Sequence, residues 1–547
     1  MGVPKFFKWL TDNYPKTIFF EPGMYVQNLY IDANCAIHPC CHPSENPPKN
    51  EEEMMKRVCD YLLKLIDVVK PTDTVYIAID GVAPVAKMVQ QRMRRFKAIK
   101  EKQMKNKILE DNNHPVLPDS WDHNAITPGT SFMYELNKRI SSFFKNNSEK
   151  ISAKKIILSD SSVPGEGEHK VMNYIRENNL QNEINCIYGL DADLIMLALT
   201  LNSSNAYLLR ETQQFYKTPN SDYPFQYLNI GILRNAFNEE FRRLIGDDVF
   251  SIENCIDDFV MMCFLLGNDF LPSLPSLKIN KKGLDILLDL YCNLFKTHRE
   301  YLTSNEYINK IPFQRFLEKI SEREEEDLLK IYNNNYVKKI SVDLSDPKAL
   351  LDSMQIVNDK YIDKIRLGQP GYRDRFYYNY FKISPPENDF KKSIKVISQN
   401  YFDGLAWTLK YYKKGCSDWN WCYQYHQAPL SSDFVKTYDK LNFSKIVVEG
   451  KPVKPFTQLM SVLPPESSHL IPSNLAENMI DNESLIIDLF PTDYQLDYMG
   501  KRFLWECHPI LPIPDVSRIN KVVDSTIFSK GDGLRNKHGK DKVIKDA

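Results

Sequence analysis

Short apolar runs alternate with longer polar or amphipathic stretches along the first half of the chain. Four of these runs are rich in β-branched and aromatic residues and end in polar residues, which predicts buried strands at 28–31, 74–79, 155–158 and 185–190. Amphipathic stretches such as 169–178 lie between them and predict helices. Strands of continuous apolar character that alternate with helices predict an α/β fold, with a mostly parallel sheet covered by helices on both sides.

Acidic residues follow all four predicted strands, and one more follows a buried helix predicted within 257–270. Sites in open α/β sheets form at the carboxyl ends of the strands, so we expect these acids to lie together. Each acid taken alone fits an ordinary turn or helix cap, whereas the whole set predicts a site. The set is Asp32, Asp80, Glu166, Glu168, Asp191, Asp193 and Asp269.

So many carboxylates at one sheet edge predict a metal centre, because without counter-charge they would repel one another and several would take up protons. Oxygen ligands with no histidine or cysteine at matching spacing suit Mg²⁺ or Mn²⁺. Two such ions about 4 Å apart stabilise the attacking and the leaving oxygen of an in-line phosphoryl displacement. The cysteines and histidines within 35–42 lack a second pair with ligand spacing, so they do not predict zinc.

One predicted helix carries a cationic face. It begins at Pro84, shortly after the strand at 74–79 and Asp80. Four polar side chains at i, i+4, i+7 and i+8 fall within an arc of about 100°; they are Lys87, Gln91, Arg94 and Arg95. The opposite side is apolar and is predicted to be buried; it consists of Val85, Val89, Met93 and Phe96. A charged face is commonly solvated surface, but an acid lies at the foot of this one, and the face could hold a phosphate.

Composition limits the class of protein. The chain has 547 residues with 70 basic and 71 acidic side chains, so any contact with a polyanion must be local rather than a result of net charge. No apolar run approaches the roughly 18 residues of a membrane span, and the N-terminus does not resemble a signal peptide. Eleven scattered cysteines fit a reducing compartment. We expect an intracellular protein that does not enter membranes.

Changes in composition divide the chain into four parts. Residues 1–285 form the predicted catalytic core, and residues 286–365 are a highly charged helical connection. Residues 366–515 are dense in aromatic side chains and proline-rich loops, which predicts a second region packed against the core. Residues 516–547 are basic and polar, which predicts a flexible tail.

Segments along nearly the whole chain resemble, in order, the motifs of the Xrn-type 5′→3′ exoribonucleases. Those in the first part are MGVPKFFKWL, NLYIDANCAIHPCCHP, AIDGVAPVAKMVQQRMRRFK, AITPGTSFM, LSDSSVPGEGEHKVM, YGLDADLIMLAL and LLGNDFLPSLP. Those in the aromatic part, similar to the family's second shared region, are WTLKYYKKGCSDWNWCYQYHQAPLSSDF, QLMSVLPPESS and DYMGKRFLWE. The resemblance implies a 5′-nuclease or PIN-like core.

The resemblance also implies roles for individual residues. The acids match the family's metal-binding catalytic set, and the cationic helix face matches its pocket for the 5′-monophosphate of RNA. His38 matches a residue that stacks on the 5′-terminal bases, and a tryptophan of the second region completes that stack. We favour Trp419 over Trp421 for this role, with both left open.

The implied function is a processive, metal-dependent 5′→3′ exoribonuclease. It would act on single-stranded RNA with a 5′-monophosphate and release nucleoside 5′-monophosphates. A flap-type structure-specific endonuclease is one alternative, but it would not need a cap for a terminal phosphate. A non-catalytic RNA-binding scaffold is another, and the complete set of acids argues against it. Protein partners are not predicted.

The chain departs from the family pattern in two places. Val85 and Val89 stand where the family commonly has arginine and asparagine, which puts in doubt how the flank of the phosphate pocket is charged. The long C-terminal extension of the cytoplasmic members is not present in this sequence, whereas the stretch 38–55 looks more like the nuclear members. The choice between nucleus and cytoplasm therefore stays open.

Overall fold

The computed structural model describes residues 6–20, 25–43, 45–116, 121–212, 224–247, 249–278, 282–334, 346, 349, 351, 364–384, 389–443, 450–498, 501 and 506–547. The strands in chain order are β1 (Ile18–Phe19), β2 (Asn28–Asp32), β3 (Thr74–Ala78), β4 (Lys155–Ser159), β5 (Asn185–Tyr188), β6 (Ala206–Glu211), β7 (Phe225–Asn229), β8 (Thr303–Ser304), β9 (Tyr307–Ile308), β10 (Leu496–Asp497), β11 (His508–Pro509) and β12 (Lys542–Asp546).

The α-helices of the same residues are α1 (Phe6–Asn13), α2 (Asn34–Cys41), α3 (Glu51–Val69), α4 (Val85–Asp111), α5 (Ser131–Asn147), α6 (Gly167–Glu177), α7 (Asp193–Thr200), α8 (Ile230–Ile245), α9 (Ile252–Phe264), α10 (Gly283–His298), α11 (Lys310–Ser321), α12 (Glu324–Asn334), α13 (Tyr372–Phe381), α14 (Phe390–Lys414), α15 (Ser431–Tyr438), α16 (Pro455–Val462), α17 (Ser473–Ala476), α18 (Val516–Ser525) and α19 (Lys530–Arg535). None of the described helices has the length and apolar character needed to cross a membrane.

Eight strands form one sheet in the order β1-β7-β6-β5-β2-β3-β4-β12. The central strands β2 to β6 pair in parallel. At the two edges the pairings are antiparallel: β7 with β6, β1 with β7, and β12 with β4. The predicted mostly parallel sheet is confirmed. Strand order reverses between β2 and β5, because β3 lies on one side of β2 and β5 lies on the other. Binding sites of open α/β sheets form at such a switch point, outside the carboxyl ends of the strands.

Side chains of the parallel strands alternate between two apolar cores, one on each face of the sheet. Tyr30 and Tyr76 belong to one core, whereas Leu29, Ile31 and Val75 belong to the other. Helices α2, α3 and α5 cover the second core, and α6 to α9 cover the first together with α14 of the second region. Burial on both faces explains why these strands have continuous apolar sequences instead of alternating ones.

The second region packs against the core, as its aromatic content predicted. Arg92 of α4 is fully buried at this contact, where it donates to the carbonyl oxygen of Ser461 at 3.1 Å and to that of Leu489. Gln458 accepts a hydrogen bond at 2.8 Å from the backbone N–H of Ala83, just before α4. The second region therefore fixes both the start and the middle of the helix that carries the cationic face.

Between the core and the second region, α10, α11, α12 and the hairpin β8–β9 are the described elements of the charged connection predicted at 286–365. Phe313, Phe316 and Leu317 of α11 join the same apolar core as α8 and α9. Most of the predicted connection beyond residue 334 lies outside the described residues. Its described helices are therefore packed into the protein and not only a linker between two parts.

The structure differs from the flexible tail predicted at 516–547. The segment forms α18, α19 and β12, and β12 extends the sheet by pairing antiparallel with β4. Composition suggested disorder because the segment is polar. The side chains of 542–546, however, are half-buried or exposed. An edge strand is held by backbone hydrogen bonds to one neighbour and needs few apolar residues, so its composition can be as polar as that of a disordered segment.

Candidate active site

The predicted acids meet at the switch point of the sheet. Asp32 is the last residue of β2, and Asp80 follows β3. Glu166 and Glu168 lie at the start of α6, and Asp193 begins α7, which follows β5. Electrostatic coupling joins Asp32 to Asp80 and Asp191, Glu168 to Glu166, Asp191 and Asp193, and Asp193 to Asp269. All seven acids therefore belong to one cluster, as the topology predicted.

Close backbone packing holds two of these acids side by side. The backbone N–H of Gly167 donates to Asp80 Oδ1 at 2.6 Å, and Asn34 Nδ2 donates to Asp80 Oδ2 at 2.9 Å. A Cβ atom at Gly167 would lie only 2.6 Å from Asp32 Oδ1, so only glycine fits between the carboxylates. Gly165, two residues earlier, has a φ of +113°. Gly165 therefore bends the chain just before α6, whereas Gly167 is already the first residue of that helix.

Burial and like charges raise the pKa values of several acids. The pKa of Asp32 rises to about 8, first because the side chain is buried and then because Asp80 and Asp191 lie close by. Burial and Asp269 raise the pKa of Asp193 to about 7. The pKa of Glu168 is raised well above its usual range, mainly by burial. Extra positive charge in this cluster would reverse these shifts.

The chemistry of the donor set fits hard divalent cations. Asp32 Oδ1 and Glu168 Oε2 are buried and have no hydrogen-bond partner among the described residues. Buried carboxylate oxygens without partners are costly, and an ion would satisfy them. Within the described part of the chain, however, no three acidic, histidine or cysteine side chains already stand in a geometry that holds one ion.

Lys87 supplies positive charge inside this cluster. Its Nζ lies 2.5 Å from Glu166 Oε2 and 2.8 Å from Asp269 Oδ2. Burial opposes the charged form of Lys87, but Asp269 and Glu166 outweigh burial and raise its pKa well above the usual value. The sequence predicted that Lys87 belongs to the phosphate-binding face. In this structure its ammonium group lies among the acids instead, one helical turn from Gln91.

The remaining cationic face of α4 contains polar atoms that lack partners. Gln91 and Arg95 are buried, and Gln91 Oε1 and Arg95 Nη1 have no hydrogen-bond partner among the described residues. Arg95 Nη2 donates to Thr127 Oγ1 at 2.8 Å. Burial, followed by repulsion from Arg94, lowers the pKa of Arg95 to about 9. An anion at this place would stabilise the buried guanidinium.

The two sides of α4 are less distinct than the sequence predicted. Val85 and Phe96 of the predicted apolar side are buried, whereas Val89 and Met93 are only half-buried. Arg94 is exposed, unlike its buried neighbour Arg95. The difference arises because α4 contacts the second region as well as the core, so buried positions occur around most of its circumference.

His38 lies beside the cationic face, on α2. Burial, followed by repulsion from Arg94, His123 and Arg95, lowers the pKa of its imidazole to about 4. The ring is therefore neutral at pH 7, and a neutral ring can stack on a base without the cost of burying a charge. This placement agrees with the role that the resemblance implies for His38, which stays a prediction.

The two candidate tryptophans differ in their surroundings. Trp421 stacks on Trp407, with ring centroids 5.3 Å apart and an angle of 26° between the planes. Trp419 is half-buried, and the described residues offer its indole ring neither an aromatic contact nor a hydrogen bond. The backbone oxygen of Trp419 accepts from the N–H of Val85 at 2.9 Å, so the residue lies at the start of α4. These contacts leave Trp419 the better candidate for a stack with substrate.

Sequence reasoning missed two residues that contact the acids or their loops. Tyr411 of α14 donates its hydroxyl to Glu166 Oε1 at 2.9 Å, and its ring stacks on His169 with centroids 3.7 Å apart. Arg210 at the end of β6 is buried and donates to the backbone oxygens of Leu190 and Asp191. The only sequence signal for Tyr411 is the aromatic run around it, which does not distinguish this tyrosine from its neighbours.

We expect Asp32→Asn to raise the melting temperature at pH 8 in the presence of a chelator. Because the pKa of Asp32 is about 8 in the folded protein against an ordinary 3.8, the folded state binds more protons than the unfolded state between these values. The stability from this group is therefore complete below pH 3.8 and is lost as the pH rises towards 8. Asparagine cannot ionise and removes this loss.

Thermal melts between pH 5 and pH 8 would measure the effect. The wild-type midpoint should fall more steeply with pH than that of Asp32→Asn, with a gap of about 2 °C or more at pH 8. Asp60→Asn, an exposed site on α3, serves as the control and should follow the wild type. If the melting temperature fell equally steeply with pH in Asp32→Asn and in wild type, the pKa of Asp32 would not be raised in the folded protein.

Comparison with known proteins identifies the family. A family model described as XRN 5′-3′ exonuclease N-terminus matches residues 1–212, and one described as Xrn1 helical domain matches residues 249–341 and 330–545. The 5′-3′ exoribonuclease 2 homolog of Drosophila melanogaster is 33% identical over 648 residues, which cover 96% of this chain and 71% of that protein. The 5′-3′ exoribonuclease 2 of Gallus gallus is 31% identical over 100% of this chain and 72% of its own length.

Among solved structures, the catalytic core of Rad2 in complex with DNA substrate aligns with 81% of this chain at 13% identity. The TM-score of 0.27 is too low for any inference from that likeness. The family models, in contrast, match most of the chain, in the same order as the motifs found in the sequence. The resemblance is therefore confirmed, and the chain belongs to the XRN family of 5′-3′ exonucleases.

Proposed function

We propose that this protein is a divalent-metal-dependent exoribonuclease that acts on single-stranded RNA with a 5′-monophosphate and releases nucleoside 5′-monophosphates one at a time. One observation supports it most. A single helix, α4, places Lys87 among the buried acids. One and two turns later it places Gln91 Oε1 and Arg95 Nη1, which have no hydrogen-bond partner among the described residues. A terminal phosphate held there would bring the first phosphodiester towards the acids.

The acids would hold Mg²⁺ or Mn²⁺ through oxygen ligands. The first candidates are Asp32 Oδ1 and Glu168 Oε2, for which the described part of the chain offers no hydrogen-bond partner. Two bound ions would supply positive charge for the attacking and leaving oxygens of an in-line displacement. For ligation by Glu166 or Asp269, Lys87 would have to release that carboxylate. The released ammonium could then turn to the substrate phosphate, the role that the sequence predicted for it.

The chain's own residues account for recognition of the RNA end. Arg95 is buried, and its Nη1 has no partner within the described ranges, so a phosphate would gain charge-assisted hydrogen bonds there without first displacing one of their acceptors. Arg94 is exposed at the rim and would add charge at the entrance. His38 and Trp419 would stack on the terminal bases, and stacking tolerates any base, which suits an enzyme that moves along RNA of any sequence.

We expect Arg94→Ala/Arg95→Ala to lose most of the preference for 5′-monophosphate over 5′-hydroxyl RNA. One hydrogen bond to a charged group contributes about 1.5–3 kcal/mol, so loss of even one such bond should lower the preference roughly 10- to 100-fold. The measurement uses one 3′-labelled RNA with either end group, in Mg²⁺ or in chelator, and analyses products by length. Arg94→Ala alone, at an exposed site, avoids any effect on folding and should lose part of the preference.

Lys105→Ala/Lys107→Ala removes the same charge further along α4 and serves as the control. It should keep the wild-type preference. Mononucleotides from 5′-monophosphate RNA in Mg²⁺ alone would agree with the proposal. Oligonucleotides from both RNAs, cut at a junction between single strand and duplex, would point to the flap-type endonuclease instead. Equal rates of degradation for both end groups would remove the phosphate pocket from the proposal.

Trp419→Ala should weaken binding of 5′-monophosphate RNA by about 1–3 kcal/mol, the contribution of one base stack, and leave the melting temperature near that of the wild type. Trp421→Ala should keep the wild-type affinity for RNA and lower the melting temperature, because Trp421 packs on Trp407. Fluorescence anisotropy with labelled RNA in Ca²⁺ or chelator, beside thermal melts, separates the two outcomes. Normal affinity with a much lower melting temperature in Trp419→Ala would make Trp419 a packing residue.

Tyr411→Phe should lower kcat roughly tenfold with little change in KM. The loss of the hydroxyl removes one hydrogen bond to Glu166, and hydrogen bonds to charged groups contribute about 1.5–3 kcal/mol. Tyr423→Phe is the matched control, since its hydroxyl donates to the backbone oxygen of Gln427 at 2.7 Å. Steady-state kinetics on 5′-monophosphate RNA would test this, and a wild-type kcat in Tyr411→Phe would rule out positioning of Glu166 by this tyrosine.

A further inference from the structure

The C-terminal segment 539–547 contacts the loop that leads to Glu166 and Glu168. In addition to the pairing of β12 with β4, Lys542 Nζ lies 2.5 Å from Asp160 Oδ2. The backbone N–H of Gly539 donates to the carbonyl oxygen of Ser162 at 2.9 Å. A Cβ atom at Gly539 would lie 2.1 Å from Ser162 Oγ, so the segment fits closely against this loop.

Asp160 is the start of that loop, and its side chain is only 2% exposed. Asp160 Oδ1 accepts hydrogen bonds from the backbone N–H and the hydroxyl of Ser162, and Oδ2 pairs with Lys542. Burial by itself would raise the pKa of Asp160, but the bonds from Lys542 and Ser162 lower it. A buried carboxylate that lost its lysine would have to move, or to take up a proton.

Hydrogen bonds connect the loop that begins at Asp160 to the residues around the acids. Lys170 of α6 donates to the backbone oxygen of Asp160 at 3.0 Å and to that of Ile79, next to Asp80, at 2.7 Å. Further along, Gly165 exchanges two backbone hydrogen bonds with the turn before α4, both 2.8 Å long. The stretch between Asp160 and Gly167 is therefore connected at several points to the loop that carries Asp80.

A second contact reaches α6 indirectly, through Tyr76. Asp541 accepts a hydrogen bond at 3.0 Å from the hydroxyl of Tyr76, on β3. The ring of Tyr76 stacks on Tyr174 of α6, with centroids 4.5 Å apart and 28° between the planes. Glu168 lies in the first turn of the same helix. The C-terminal segment thus contacts the loop before α6 directly, and it reaches α6 indirectly through Tyr76.

We propose that the strand β12 positions the catalytic glutamates through the Lys542–Asp160 pair, so that Lys542 is a positioning residue for RNA cleavage. This inference rests on the proposed function. Neither Lys542 nor Asp160 belongs to the acid cluster. The pair acts through the backbone of 160–168 and through Lys170, which donates to the backbone oxygens of Asp160 and Ile79. Its loss should therefore affect the rate of the chemical step and spare the capture of RNA.

The test compares Lys542→Ala with Lys545→Ala. Lys545 lies on the same strand, but its Nζ donates to the backbone oxygen of Ile151, away from the loop. We expect Lys542→Ala to lower kcat on 5′-monophosphate RNA roughly tenfold with KM unchanged, less than the about hundredfold that a 1 Å displacement can cost. Lys545→Ala should keep the wild-type kcat, and Lys542→Arg should restore most of the rate because arginine can pair with Asp160.

A double-mutant cycle separates positioning from general destabilisation. Asp160→Asn removes the same ion pair from the other side, so the double variant Asp160→Asn/Lys542→Ala should be no slower than the slower single variant. Hydrogen exchange should be faster over 160–168 in Lys542→Ala and unchanged in Lys545→Ala. Hydrogen exchange tests whether Lys542 orders the loop 160–168 even if kcat falls for another reason.

The outcomes are distinct from those that test the proposed function. If wild type does not degrade 5′-monophosphate RNA, the proposed function fails. If wild type is active and Lys542→Ala matches Lys545→Ala in kcat and in exchange over 160–168, the positioning role of β12 is overturned. Additive losses in the double variant would also overturn it, because independent effects cannot come from one shared ion pair.

Discussion

Mutual repulsion among buried carboxylates is the constraint on which the rest of this structure depends. The parallel sheet brings the acids to one edge at its switch point, and burial raises the pKa values of Asp32, Asp193 and Glu168. Lys87 offsets part of this repulsion by pairing with Glu166 and Asp269. Neighbouring groups then fix the remaining oxygens, as Asn34 and Gly167 do for Asp80. At this edge of the sheet, repulsion among the carboxylates is thus balanced by positive charge and hydrogen bonds from the protein itself.

The second region contacts both the acid cluster and the helix α4 that carries the cationic face. Helix α14 delivers Tyr411 to Glu166, and the backbone of Trp419 accepts from the first residue of α4. Arg92 joins the middle of α4 to carbonyl groups of the same region. The helix that carries the cationic face is therefore held by both regions, and the distance between that face and the acids is fixed by contacts from two distant parts of the chain.

Much of the fold and of the site could be predicted from local sequence. Asp32, Asp80 and Asp191 directly follow apolar runs, and parallel pairing places the ends of such runs at one edge. The spacing along α4 correctly placed Gln91 and Arg95 on one side of the helix. These features depend on periodicity and on the order of elements, which a sequence displays directly.

Other features depend on distances across the fold, which a sequence does not display. The spacing on α4 could not show that the Lys87 side chain lies among the acids, because that depends on where α6 and Asp269 come to rest. Tyr411 is 245 residues away from its partner Glu166. Polar composition suggested a flexible tail for the segment that forms β12, because an edge strand leaves little apolar signature.

The long-range anchoring of α4 has a consequence for the order of synthesis. A chain that has grown just past Asp269 already carries all the acids, together with the arginines of α4. It still lacks Ser461 and Leu489, the acceptors of the buried Arg92, as well as Tyr411 and the backbone oxygen of Trp419. The acid cluster therefore has all of its carboxylates long before the contacts that order it exist. A ribosome-bound fragment of this nuclease carries these acids without the contacts that align them, while its own messenger is still being translated.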